Sequence, residues 1–159
     1  SRALDFYISR NLLQDDKQSL SLGFVSHYED HPNHKGWDFS VQGNYYYAIN
    51  QRHLIYSSLA HSRFHSNNFF NLPLKNQLST LGLSYEYHNR PNRSWVLQYL
   101  LNEGATRGLG ELGEPSHELL IGYRWVIERH KVELSMIENL VKADNSADIS
   151  FSLMYKYTP

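Results

Sequence analysis

The last segment of the chain, residues 148–157, constrains the fold more than any other. Its odd-numbered residues from Ile149 to Tyr157 are all apolar or aromatic, whereas its even-numbered residues are polar apart from Met154. Successive side chains point to opposite sides only in an extended strand. The segment is therefore predicted to be a β-strand with one apolar face and one polar face.

This ending resembles the C-terminal signal strand of bacterial outer-membrane barrels, in which a polar residue and a glycine precede two spaced aromatics. Ser150, Ser152, Tyr155 and Tyr157 occupy the corresponding positions, with serine in place of glycine. The resemblance implies that the barrel-assembly machinery recognises this strand as a partner.

The same period-two alternation recurs along the chain, most clearly from Trp37 to Ile49. An amphipathic helix would place its apolar residues three and four apart instead. Between Ser19 and Tyr157 the pattern predicts eight strands. Only the segment 53–63 is ambiguous, because two different sets of its apolar residues fit the outward face.

The predicted connections alternate between long and short. Long connections lie at 29–36, 64–77, 103–116 and 139–147, and short ones at 50–52, 89–92 and 128–131. Outer-membrane barrels have short periplasmic turns and longer extracellular loops, and their strands cross the membrane in about 9–11 residues. We therefore predict an all-β fold, an antiparallel transmembrane β-barrel meander of eight or more strands in the cell outer membrane, in contact with its lipids.

The first residues leave two interpretations open. Residues 1–17 form either a short strand and turn, with Leu4, Phe6 and Ile8 on one face, or a periplasmic tail, and residues 18–159 form the barrel domain. A ninth strand would start outside the cell, whereas single-chain barrels usually have an even number of strands. We therefore expect upstream strands, or a partner chain, to complete the barrel.

Composition excludes several classes of protein. The net charge is −1, which gives no electrostatic basis for binding nucleic acid. The chain has no cysteine, which excludes a disulfide framework and cysteine-ligated zinc. Nothing in the pattern indicates a cofactor.

Several longer stretches carry a family resemblance. They are Leu-Gln-Tyr-Leu-Leu-Asn-Glu-Gly at 97–104, Gly-Glu-Pro-Ser-His-Glu at 113–118, Ile-Glu-Asn-Leu at 137–140 and Asp-Asn-Ser-Ala-Asp at 144–148. They resemble the C-terminal half of an uncharacterised Gram-negative outer-membrane β-barrel family, a domain of unknown function. Ala147 stands where that family would have proline. The resemblance implies fold and location but no activity.

A catalytic interpretation uses the stretch at the end of the third long loop. Ser116, His117 and a carboxylate, Glu118 or Glu138, are the residue types of a nucleophile, a base and an orienting group, as in a lipid hydrolase or deacylase. However, adjacent residues of a strand point to opposite faces, so Ser116 and His117 pair only if the strand end is irregular.

A weaker metal interpretation uses His27, His31 and His34. Pro32 and Lys35 beside them are not typical of a metal site, so no metal is predicted. The outer mouth is expected to collect the polar residues of the long-loop ends: His27, Asp38, His61, Arg63, Glu103, His117, Glu118, Glu138 and Asp148.

Charged residues on the polar faces of several strands predict an internal ion-pair network, because buried charges must be paired. Its expected members are Glu86, Glu118, Arg124, Glu133 and Lys156. Such a network either fills a small barrel or lines a narrow pore. Basic residues gather instead at the short turns: Arg52, Arg90, Arg93, Arg129 and Lys131. This distribution argues against a lipopolysaccharide-binding patch in the outer loops.

Three functions remain open from the sequence. The first is a non-enzymatic outer-membrane barrel with a polar, side-chain-filled lumen, which acts as a scaffold or a narrow channel. The second is an outer-membrane lipid-modifying enzyme. The third is a soluble barrel that binds an apolar ligand, since such barrels also alternate.

Overall fold

The computed structural model describes residues 2–31, 34–65, 68–69, 72–106, 113–140 and 149–158. Its strands are β1 (Arg2–Gln14), β2 (Gln18–His31), β3 (His34–Asn50), β4 (His53–Arg63), β5 (Asn68–Phe69), β6 (Leu72–Pro73), β7 (Gln77–Arg90), β8 (Arg93–Asn102), β9 (Ser116–Ile127), β10 (His130–Asn139) and β11 (Ile149–Tyr157). No helix in these described ranges is long and apolar enough to cross a membrane.

Nine of these strands form one antiparallel sheet in which neighbours in sequence are neighbours in space. The order is β1-β2-β3-β4-β7-β8-β9-β10-β11, and β5 and β6 form a separate small hairpin within the connection from β4 to β7. The predicted antiparallel meander is therefore confirmed. The sheet is not closed, because among the described residues no pairing joins the edge strands β1 and β11.

Strand β1 is longer than the short strand suggested by the sequence. Its 13 residues pair with β2 from Arg2 opposite Asp30 to Gln14 opposite Ser19, with an irregularity between Asn11 and Leu13. Residues 2–14 are thus part of the same sheet as the rest of the chain.

The prediction of a long loop at 29–36 is wrong. β2 and β3 stay paired until His31 lies opposite His34, so only residues 32–33 connect them. Glycine often interrupts a strand, but Gly36 lies within β3 opposite Glu29. Continuous cross-strand pairing overrides the local preference of a single glycine.

Pairing also resolves the ambiguous register of β4. Ile55 lies opposite Tyr85, and Tyr56 lies opposite Ser84. Since paired residues share a face, Ile55 joins the apolar face and Tyr56 the polar face. The neighbouring strands therefore decide which side of β4 faces which way.

The sheet buries its polar face and exposes its apolar face, the reverse of what is usual for a protein in water. Val96 is the one buried apolar residue in the described ranges, whereas Glu86, Glu133 and Ser135 are buried. On the other face large apolar side chains are exposed, up to 77% for Phe151. Contiguous exposed apolar surface of this extent marks an interaction with a membrane or another protein.

The sheet curls around its polar face. One cavity of about 430 Å³ is lined by residues from Ser19 of β2 to Lys131 of β10. These strands are six neighbours apart in the sheet, which in a flat sheet would be roughly 29 Å. Side chains so distant border one cavity only because the sheet is strongly curved.

Aromatic side chains form two belts on the apolar face. The short-turn belt contains stacked or edge-on rings of Tyr45, Tyr47, His53, Tyr85, Tyr87, Trp95, Tyr123, Trp125, His130, Tyr155 and Tyr157. The long-loop belt contains Phe24, Tyr28, Trp37, Phe39, Tyr99 and His117. Amphipathic rings at two levels with an apolar band between them are typical of the two interfaces of a membrane.

The turn between β1 and β2 gives a testable pH dependence. The Asp15 carboxylate accepts hydrogen bonds from the backbone N–H groups of Lys17 and Gln18 at 2.8 and 2.9 Å. The bond from the Lys17 N–H is the main reason that the pKa of Asp15 lies below its usual value. The hydrogen bonds to Asp15 stabilise the folded state only when its carboxyl group is ionised. This stabilisation is fully present above the pKa that Asp15 has in the unfolded state, and it is lost as the pH falls through the lower pKa that Asp15 has in the folded state.

We expect Asp15→Asn to lower the midpoint of urea unfolding at pH 7, and the difference from the wild type to shrink below about pH 4. Asp16→Asn is the matched control, since Asp16 lies in the same exposed turn and accepts no such bond from a described residue. A difference that persists unchanged at low pH would show that the carboxylate charge is not responsible.

Candidate functional site

A cluster of buried charges lies on the polar face near the short turns. At its centre is Arg124 of β9, whose Nε donates to Glu133 Oε2 at 2.8 Å and whose Nη1 donates to Glu86 Oε2 at 2.6 Å. Glu86 is only 4% exposed and Glu133 only 8% exposed. One guanidinium therefore holds two carboxylates that are largely withdrawn from water.

The second oxygen of Glu86 is also occupied. Ser94 Oγ donates to Glu86 Oε1 at 2.6 Å, and His88 Nε2 lies 3.2 Å from the same oxygen. A carboxylate with both oxygens bonded meets the requirement for burying a charge. We call Glu86, His88, Ser94, Arg124 and Glu133 the charge cluster.

Strand register assembles the charge cluster. Arg124 lies directly opposite Glu133 on one side and opposite Ser94 on the other. Ser94 lies opposite His88 of β7, so Glu86 is the next residue along that strand on the same face. The long Arg124 side chain reaches past β8 to contact it. Four consecutive strands of the sheet, β7 to β10, thus contribute to one site.

Two other expected members are not in the cluster. Lys156 lies opposite Lys131, and Glu133 lies opposite Met154 instead. Glu118 precedes Arg124 by six residues on β9, a distance of about 20 Å along the strand. The structure therefore joins Glu86, Arg124 and Glu133, and separates Glu118 and Lys156 from them.

His88 and Ser94 were not singled out from the sequence. His88 follows Glu86 by two residues, so period-two alternation alone would have placed the two on one face. Ser94 gave no comparable signal, because a serine two residues after a turn is unremarkable. Its role depends on the pairing of β8 with both β7 and β9.

The curved polar face also encloses the 430 Å³ cavity beside the charge cluster. Hydroxyl and amide groups dominate its lining, including Ser21, Asn44, Ser58, Ser84 and Gln98. The rings of Tyr46 and Tyr56 pack against each other there, with 5.2 Å between their centroids. Such a surface hydrogen-bonds water and small polar solutes.

The catalytic candidates are not arranged as a triad. Ser116 lies opposite Asn102 on the polar face, whereas His117 lies opposite Leu101 on the apolar face. His117 Nδ1 is hydrogen-bonded to the Tyr99 hydroxyl at 2.6 Å. β9 is regular from its first residue, so strand alternation directs Ser116 and Glu118 away from His117.

The candidate metal residues are also separated. His27 Nδ1 pairs with Asp5 Oδ1 at 2.5 Å, while His31 and His34 lie four rungs further along the hairpin. No group of three or more His, Asp or Glu in the described part of the chain is arranged to hold a metal ion.

The residues expected at the outer mouth lie at the long-loop ends of their strands, where Asp38 accepts a hydrogen bond from the His65 N–H. Asp148 lies outside the described residues. This end of the polar face thus carries acidic groups, whereas Arg124 and Lys131 lie near the short turns.

A curled antiparallel meander with a buried polar face and an exposed apolar face has the fold of an outer-membrane barrel wall. The comparison with solved structures agrees: the crystal structure of the outer membrane channel DcaP of Acinetobacter baumannii matches with a TM-score of 0.60 at 11% sequence identity. The match covers 98% of this chain and 51% of the channel, so the chain spans about half the length of that protein.

The sequence comparison identifies the family. The family described as Protein of unknown function (DUF3187) matches residues 1–158, and the chain belongs to it. No curated protein matches the sequence.

Proposed function

We propose that this chain forms part of the wall of an outer-membrane β-barrel channel, with its apolar face toward lipid and its polar face toward the lumen. The observation that carries the proposal is the inverted burial of the interior strands: carboxylates at 4% and 8% exposure on one face, and Trp95 and Leu97 at 50% and 45% on the other. In water this arrangement would expose the surface that the hydrophobic effect buries. In a bilayer it is the stable one.

The loop lengths support an orientation. Connections of two or three residues at 15–17, 51–52, 91–92 and 128–129 lie at one end of the sheet. At the other end lie the two-residue connection 32–33 and all of the long connections, 64–76, 103–115 and 140–148. Periplasmic turns are the short ones in this class of barrel, so the charge cluster lies toward the periplasm.

The direction of the edge strands supports completion by further strands. β1 ends at the turn 15–17, and β11 ends with Tyr157 opposite His130, so both run toward the short-turn end. Direct pairing of β1 with β11 would therefore be parallel. An all-antiparallel barrel that contains these nine strands needs an odd number of additional ones.

A second copy of the sheet does not meet this requirement. Two copies related by an axis along the membrane normal would place β1 of one protomer beside β11 of its partner, again running parallel. Antiparallel contact between two β11 strands would turn one copy upside down in the membrane. The geometry favours upstream strands of the same polypeptide, or a different partner chain, as the missing wall.

The lumen lining supports passage of small polar solutes. Glu86 and Arg124 in the cavity lining are paired with each other, so apart from Lys131 the polar groups of the lining are mainly neutral hydroxyls and amides. No observation favours a lipid hydrolase, since Ser116 and His117 lie on opposite faces. A channel is thus the function that the geometry supports best.

The test uses the full-length protein, refolded in detergent and reconstituted in planar bilayers. We expect a heat-modifiable band on a gel and discrete conductance steps. Ser21→Trp, which fills the cavity from β2, should lower the conductance, whereas Leu22→Trp on the opposite face of the same strand should leave it unchanged.

Folded, inserted protein without conductance would overturn the channel but not the barrel. Failure to partition into detergent or bilayers would overturn both. Equal effects of the two tryptophan variants would show that the polar face does not line the conducting path.

A further inference from the structure

An apolar groove lies on the outer face at the level of the short-turn belt. Its volume is about 480 Å³ and its wall is almost entirely apolar or aromatic. The groove crosses from β4 to β9 and is lined by His53, Tyr85, Tyr87, Trp95, Leu97 and Ile121. In the proposed orientation its length lies in the hydrocarbon layer and its aromatic end at the periplasmic interface.

Two arginines lie at that aromatic end. Arg90 and Arg93 are directly opposite each other across the turn between β7 and β8. Paired residues share a face, and Arg93 precedes Trp95 by two residues on β8, so both lie on the outer side about 7 Å from the groove. Arg52, in the turn before β4, adds a third cation beside the first groove strand.

Arg52, Arg90 and Arg93 form no ion pair with an acidic residue of the described ranges. In those ranges, the lysine and arginine side chains that do form ion pairs are Lys35 and Arg124. Like charges directly opposite each other in a sheet are destabilising. An anion bound between Arg90 and Arg93 would turn this repulsion into attraction. Arginine is also the side chain best suited to a phosphate, through its forked donors.

Lys131 and Lys156 also lie opposite each other near the short turns, but on the polar face. On the outer face, the short turns with basic residues and no acidic ones belong to this sector of the sheet. The turn between β1 and β2 carries Asp15 and Asp16 beside Lys17, and the turn after β9 carries Glu128 beside Arg129. The turn before β4 contains Arg52, and the turn before β8, residues 91–92, is flanked by Arg90 and Arg93; neither turn carries an acidic residue. The groove and the unpaired cations therefore coincide.

We infer that this groove, with Arg90 and Arg93, is a binding site for an anionic phospholipid of the periplasmic leaflet. The lipid phosphate lies between the two guanidinium groups, and an acyl chain lies along Trp95, Leu97 and Ile121. The inference rests on the proposed insertion in the membrane. It adds a specific lipid site to a surface that otherwise contacts bulk lipid.

The experiment compares lipid retention by native mass spectrometry of the full-length protein in detergent micelles. Phosphatidylglycerol and phosphatidylcholine with identical acyl chains are supplied at equal concentration. Since each of the two arginines contributes about 1 kcal/mol near an anionic lipid, we expect a preference for phosphatidylglycerol on the order of thirtyfold. Arg90→Gln/Arg93→Gln should remove the preference.

Arg63→Gln is the matched control, because it removes an exposed arginine from the same face at the opposite end of β4. It should keep the preference. A heat-modifiable band for every variant separates loss of the site from loss of the fold, and the single variants Arg90→Gln and Arg93→Gln should each give an intermediate preference.

Equal retention of the two lipids by the wild type would overturn the inference, as would a preference that survives the double substitution. Displacement of phosphatidylglycerol by millimolar inorganic phosphate would also overturn it, because it would identify a site for a free anion. Retention that inorganic phosphate leaves unchanged supports a site that needs the acyl chain as well.

Discussion

Replacing Arg124 by methionine is expected to lower the free energy of unfolding by about 3–5 kcal/mol. Arg124 is the common partner of Glu86 and Glu133, which are both buried. Its removal leaves two carboxylates close together without a counter-charge. The measurement is equilibrium urea unfolding of the refolded protein at fixed detergent concentration and pH 7.

A triple variant without the two carboxylates tests whether the lost stability comes from their unpaired charges. In Glu86→Gln/Arg124→Met/Glu133→Gln no buried charge remains at these positions, and replacing a buried ion cluster by uncharged groups is often nearly neutral. We expect most of the stability to return. Arg129→Met, in an exposed turn, is the control and should change stability by no more than about 0.5 kcal/mol.

A small effect of Arg124→Met, similar to that of Arg129→Met, would show that Glu86 and Glu133 are protonated or solvated in the folded protein. Failure of the triple variant to regain stability would assign the loss to packing of the arginine stem instead of its charge. The two outcomes are distinguishable in one series of variants.

The second large effect is expected from a lysine on the apolar face. Leu153 is the central residue of β11 and is 73% exposed, so in an aqueous protein Leu153→Lys would be nearly neutral. In a bilayer the same position lies near the midplane, where a lysine on the lipid face costs about 2–4 kcal/mol. We expect this cost when the protein is unfolded from lipid vesicles.

Ser152→Lys is the matched control because Ser152 is the preceding residue of the same exposed strand and points to the polar face. It should change stability little, since a lumen position leaves the ammonium hydrated. Equal, small effects of the two lysines would contradict the assignment of the apolar face to lipid and would favour a protein partner on that face.

Much of the fold is a local property of the sequence. Alternation from Trp37 to Ile49 and from Ile149 to Tyr157 predicted the strands and the side of each residue, and turn-forming residues predicted most short connections. The prediction at 29–36 failed because Gly36 has a cross-strand partner that the local pattern does not show. The resemblance to a family of unknown function came from stretches between residues 97 and 148, and the family match extends over residues 1–158.

The sequence predicted several residues of the candidate site but not which of them contact each other. Charged residues on a polar face require partners, which made Glu86, Arg124 and Glu133 candidates, but Glu118 and Lys156 met the same criterion. Only register separates the two groups, since Arg124 faces Glu133 and Lys156 faces Lys131. The opposed Arg90 and Arg93 likewise become neighbours only through the pairing of β7 with β8.

Outside β4 and residues 29–36, the sequence by itself determined most of the extended residues and the face that each side chain occupies, because a strand alternates with a period of two along its own backbone. The tertiary structure decided which residues lie opposite each other, how the sheet curls around the charge cluster, and that β1 and β11 remain open edges. These features depend on hydrogen bonds between strands, and such long-range register is not contained in the pattern of any one strand.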